Sequence, residues 1–133
     1  MDRPFRNLVE AYLLAGYPDD AREWLNRGFE LINHRNERGL ESEFLRLRGE
    51  LALVAGDQQG AEADYQQAIE VSRRQQARSW ELRATMSFAE LKRIQGNSGE
   101  GRQMLESIYN LFTEGFDTAD LVRAKTLLND LDA

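Results

Sequence analysis

The 133-residue chain contains no cysteine, so neither a disulfide scaffold nor a thiolate metal site is possible. It has a single histidine, His34, and no cluster of His with Glu that would converge on a metal. Only two prolines interrupt it, Pro4 and Pro18. No apolar run approaches the roughly 18 residues that a bilayer span needs. The opening MDRPFRNLVEAYLLAG lacks a basic segment followed by an unbroken apolar stretch, so no secretion signal is read and a cytoplasmic protein is expected. Basic residues number 17 against 23 acidic ones, a net charge of −6. Phosphate backbones and anionic membrane surfaces attract clustered Lys and Arg. Here acids intersperse the basic residues, and neither nucleic acid nor a membrane is expected as a partner.

The chain does have enough apolar content, 41%, to bury a core, with 30% charged residues to keep it in solution. Three glycines stand 40 residues apart: Gly16, Gly56 and Gly96. Around them the columns agree. Leu14, Val54 and Ile94 precede each glycine, and Glu10, Glu50 and Glu90 precede those. Small residues follow at Ala21, Ala61 and Gly101, then large ones at Leu25, Tyr65 and Leu105. Gly28, Ala68 and Ile108 come next, followed by Phe29, Ile69 and Tyr109, and by Leu31, Val71 and Leu111. So many columns at one period mark an internal repeat.

Each glycine ends a helical run (NLVEAYLLAG, LRGELALVAG, FAELKRIQG), where a left-handed residue caps the helix. Short polar turns follow: YPDD, DQQG and NSGE. A second amphipathic run then begins. The expected fold is all-α: helices over about 3–15, 19–34, 38–55, 59–75, 78–95 and 99–113 form three hairpins, with repeats at about 2–37, 38–77 and 78–116. A capping segment over 118–131 would carry the stripe Leu121, Ala124, Leu127, Leu128 and Leu131, with Thr118 as its N-cap.

The small-x3-large-x2-small spacing on each second helix resembles the tetratricopeptide repeat, whose usual period is 34 residues. Six additional residues per unit imply longer helices. This longer form resembles repeats at the C-terminal end of large bacterial signalling proteins, in which a nucleotide-cyclase or DNA-binding domain precedes an ATPase domain. The likeness is carried by FLRLRGELALVAGD at 44–57, ARSWELRATMSFAEL at 77–91 and LFTEGFDTADLVRAKTLLNDL at 111–131. It implies a right-handed superhelix of three hairpins plus a capping helix, acting as a non-catalytic regulatory or interaction module of a signalling or transcriptional regulator.

In that family the first helix of each pair lines a concave groove. Carried over by position, the groove residues are Arg3, Arg6, Asn7, Glu10 and Leu13; Glu43, Arg46, Leu47, Glu50 and Leu53; and Arg83, Met86, Ser87, Glu90 and Arg93. Arginine forks bind carboxylates through two parallel hydrogen bonds, so an acidic peptide or chain terminus is one possible ligand. The family's carboxylate clamp uses lysines that are absent here. The alternative is structural: Arg6–Glu10 and Arg46–Glu50 stand at i,i+4, where the charges pair with each other and form a ladder between helices. A self-associating module, using an uncovered first helix with Phe5, Leu8 and Tyr12, is a further reading, and a small-molecule sensor another. No enzyme is expected: GNSGEG at 96–101 lacks the lysine and strand of a phosphate loop, and Ser42, Ser79 and Ser87 have no base partner in the sequence. No cofactor is called for.

Overall fold

A computed structural model describes the backbone of residues 2–35 and 38–132 and the side chains of residues 8–34 and 38–132. Among the described residues it is all-helical: α1 (Asp2–Leu14), α2 (Pro18–Arg35), α3 (Glu41–Val54), α4 (Gln58–Arg74), α5 (Arg78–Ile94), α6 (Ser98–Tyr109) and α7 (Ala119–Leu131).

The glycine columns have the conformation that the sequence demands. Gly16, Gly56 and Gly96 lie at φ 85°, 84° and 78°. At each one the chain closes with two backbone bonds. At the second, Gly56 N donates to Leu53 O at 3.0 Å and Asp57 N to Ala52 O at 2.8 Å. This pairing satisfies helix-end carbonyls that would otherwise lack donors. Asp57 then starts the next helix, its carboxylate accepting from Gly60 N at 2.9 Å. The turn after α4 uses the same closure with no glycine: Gln76 sits at φ 55°, and Ala77 N donates to Ser72 O at 2.9 Å.

Consecutive helices pack as hairpins, and α1, α3, α5 and α7 also touch in succession. The core follows this pattern in three clusters. Val9 of α1, Ala21, Leu25 and Ile32 of α2, and Phe44, Leu47 and Leu51 of α3 make the first. The second joins Leu45 of α3 and Ala61, Tyr65 and Ala68 of α4 to Ala84, Phe88 and Leu91 of α5. In the third, Leu82, Met86 and Ala89 of α5 meet Leu105 and Ile108 of α6 and the whole expected α7 stripe, Leu121, Ala124, Leu127, Leu128 and Leu131. Each cluster takes one hairpin and the first helix after it. α7 therefore occupies the place that α3 and α5 hold in the preceding clusters. Each fully buried leucine contributes about 2 kcal/mol of gross burial free energy.

Small residues set how closely the helices approach. A Cβ on Gly101 would lie 2.9 Å from Ala89 Cα, and one on Gly49 2.5 Å from the Tyr65 ring. The column Leu14, Val54 and Ile94 is not core: these residues are 89%, 62% and 58% exposed. Each is the last residue of its helix, beyond the reach of the following pairing.

Three local expectations are adjusted. The helix expected over 38–55 begins at Glu41, because Gly39 and Leu40 form a turn. The helix expected over 99–113 ends at Tyr109, and Phe112 turns back to pack on the terminal cluster. Thr118 stands at the start of α7 in an extended conformation, but its hydroxyl accepts no capping bond. Phe5 lies outside the described side chains.

Candidate functional site: an ion-paired groove

The groove is built on the helices α1, α3, α5 and α7. Helical spacing places Glu10 and Leu13 on one face of α1, Arg46, Glu50 and Leu53 on one face of α3, and Arg83, Ser87 and Glu90 on one face of α5. These faces meet around an open cavity of about 440 Å³, which Leu47, Met86, Tyr65, Arg123 and Leu127 also line.

Glu43 lies beneath the groove and is 1% exposed. Its Oε1 accepts from Arg46 Nε at 2.7 Å, and its Oε2 meets Arg83 Nη1 at 2.5 Å. One buried carboxylate thus ties its own helix to the next first helix. Two buried guanidiniums around one carboxylate would be undercompensated alone. The neighbouring acids complete the balance. Arg46 lies 3.6 Å from both Glu10 Oε1 and Glu50 Oε1. Arg83 lies 3.6 Å from Glu10 Oε1 and 3.8 Å from Asp120 Oδ1 of α7. Ser87 Oγ donates to Glu50 Oε1 at 3.0 Å and accepts from Arg46 Nη1 at 3.4 Å. The Arg83 guanidinium also stands 5.9 Å from the Trp80 ring centre, within cation–π range.

The network shifts two ionisations. Burial opposes the Arg46 charge, but Glu43 foremost, then Glu50 and Glu10, holds its pKa above the ordinary arginine value. Burial, and next the negative charge of Glu50, push the Tyr65 hydroxyl well above the usual tyrosine range. Both shifts favour the protonated forms of Arg46 and Tyr65.

Comparison with protein-family models and with curated proteins finds no match. The site is therefore read from its own geometry.

Of the residues expected in the groove, Glu10, Leu13, Arg46, Leu47, Glu50, Leu53, Arg83, Met86, Ser87 and Glu90 line it. Glu43 belongs to its foundation rather than to its surface. Arg93 is not among the lining residues; it pairs with Glu90 on its own helix at 3.6 Å. The side chains of Arg3, Arg6 and Asn7 lie outside the described residues. Six residues come into the site that the groove register did not supply: Leu14 and Ile94, the last residues of α1 and α5, stand at its rim. Tyr65 reaches it from α4, and Asp120, Arg123 and Leu127 belong to α7. The signal for Tyr65 was visible: it is the tyrosine in a column otherwise filled by Leu25 and Leu105, and Gly49 opposite leaves room for its ring.

Ser42 is buried and donates to Ala68 O at 2.9 Å, tying α3 to α4. His34 is exposed in the last turn of α2. Among the described residues no group of three His, Cys, Asp or Glu could hold a metal ion, and no helix is long and apolar enough to cross a membrane. Trp24 and Trp80 are half-buried. Phe116, between α6 and α7, rests against Tyr109, ring centres 5.8 Å apart, and remains 46% exposed.

Proposed function

We propose that the chain is a tetratricopeptide-like, right-handed superhelix of three hairpins and a capping helix, serving as a non-catalytic interaction module whose groove holds a peptide segment of a protein partner. Its setting, on this reading, is a bacterial signalling or transcriptional regulator. The observation that carries the reading is the groove itself. It is open, it mixes apolar side chains with anchored polar ones, and the ion pairs beneath it fix the lining side chains before any ligand arrives. Preorganisation of that kind reduces the ordering cost of binding. The repeat columns and the placement of α7 support the family assignment.

A display selection of random peptides against the full chain tests this. Selected peptides are expected to bind the wild type and to lose binding to a folded Leu53→Arg variant. Failure to enrich any peptide that depends on Leu53 contradicts the proposal.

A second reading is favoured by one observation, the exposed column Leu14, Val54 and Ile94. Two copies pairing through it would form a homodimer with the same patch on each side. Sedimentation at several concentrations separates the readings: a monomer at every concentration removes the dimer. Loss of a dimer in Leu14→Ser/Val54→Ser/Ile94→Ser supports it.

A further inference from the structure

The groove's cations and anions differ in what they offer to a ligand. The side chains of Arg46 and Arg83 are only 11% and 16% exposed, and both are engaged by Glu43. Glu10 and Glu50 are each 33% exposed, and Glu90 is 53% exposed. The arginines point into the foundation and the acids point out of it. A carboxylate has about four acceptor positions. Among the described residues, Glu10 meets Arg46 and Arg83 at 3.6 Å, beyond hydrogen-bond range. Glu90 meets one cation, Arg93, also at 3.6 Å. Among the described residues, the other exposed cation of the lining is Arg123 of α7, 3.9 Å from Asp120.

Alongside the acids runs apolar surface. Leu13 and Leu53 are half-buried in the groove wall, and Leu14 and Ile94 rise from its rim. An arriving segment therefore meets leucine side chains flanked by carboxylates, with both buried guanidiniums already occupied. An acidic peptide or a free chain terminus would have to displace Glu43 from Arg46 and Arg83 and would itself face three acids. Like charges brought together in a partly desolvated site weaken binding.

Resting on the groove reading above, we infer that the partner segment is cationic and apolar-striped: leucine-type residues seated over Leu13, Leu53 and Met86, with Lys or Arg placed against Glu10, Glu50 and Glu90. The occupant is a segment of another protein. Charge complementarity selects it, and the apolar trough fixes its position.

Two end-blocked peptides of about 14 residues test this, with leucine at the i, i+3, i+4 and i+7 positions and the remaining positions filled by Lys in one and Glu in the other. Fluorescence anisotropy against the full chain reports binding. The Lys probe is expected to bind more tightly and to weaken as salt rises from about 0.05 M to about 0.3 M. Glu10→Gln/Glu90→Gln is expected to weaken it about fivefold. Glu30→Gln/Glu70→Gln removes the same charge from exposed positions on α2 and α4, outside the groove, and is expected to leave the affinity unchanged. Equal or tighter binding of the Glu probe overturns the charge inference and leaves the groove reading standing. Equal weakening by the two charge pairs also overturns it, since attraction to net charge would then explain the binding. No binding of either probe up to roughly 1 mM overturns both. The comparison of probes on the wild type stands even if a variant fails to fold.

Discussion

Replacing Glu43 by Gln keeps the size of the side chain and removes its charge. In the folded protein that carboxylate is 1% exposed and serves two guanidiniums, at 2.7 Å from Arg46 and 2.5 Å from Arg83. Glutamine offers one acceptor oxygen. Its amide nitrogen must then face a guanidinium N–H, donor against donor. Breaking a buried ion pair from one side costs about 3–5 kcal/mol. The lower end applies here, about 3 kcal/mol, because Glu10 and Glu50 remain within 3.6 Å of Arg46. For a chain of this length that is a drop of roughly 10 °C in Tm. It is a large share of the roughly 5–15 kcal/mol that stabilises a domain. Urea unfolding followed by far-UV circular dichroism measures it. A loss below about 1 kcal/mol for Glu43→Gln would refute the claim that this carboxylate anchors the groove.

Other perturbations follow from the same structure. Gln76→Gly relieves a left-handed residue at φ 55°, and is expected to raise stability by about 1 kcal/mol in the same assay; a loss would refute the cap assignment. Gly101→Ala forces a Cβ to within 2.9 Å of Ala89 Cα and should cost about 1–3 kcal/mol, whereas Gly99→Ala, with nothing within 4 Å, should stabilise α6 by up to about 1 kcal/mol. Thermal melts of the two check the contrast. The Tyr65 hydroxyl has its folded pKa raised above the unfolded value of about 10, so its contribution is complete below that pH and is lost as pH rises beyond it. Tyr65→Phe should flatten the alkaline fall in stability, and an unchanged alkaline profile would refute the burial of that hydroxyl beside Glu50.

Much of this arrangement was legible because the same residue columns recur at a 40-residue spacing. Gly16, Gly56 and Gly96 announced their left-handed caps, and the small residues at 21, 61 and 101 announced close helix approaches. The α7 stripe was readable from period alone, and every one of its apolar members is buried. Charge geometry was less legible. Periodicity placed Arg46, Glu50 and Arg83 on one face, but not the depth at which each side chain sits. Glu43 stands among them in register and proves to be their foundation, because its position on α3 turns it beneath the groove rather than into it. Leu14, Val54 and Ile94 form an apolar column in the sequence and are exposed, each being the last residue of its helix. In the sequence, Asp120, Arg123 and Leu127 simply fall within the capping segment at 118–131. That α7 takes the place of another first helix, and so completes the groove, emerges from tertiary contacts alone.

The most direct test of the account is an NMR titration of the isotope-labelled chain with the lysine–leucine peptide. Amide shifts are expected to concentrate on α1, α3 and α5 around Leu13, Glu50, Leu53, Ser87 and Glu90, with the outward faces of α2, α4 and α6 unmoved. Shifts confined to those outward faces, or none at saturating peptide, would contradict it.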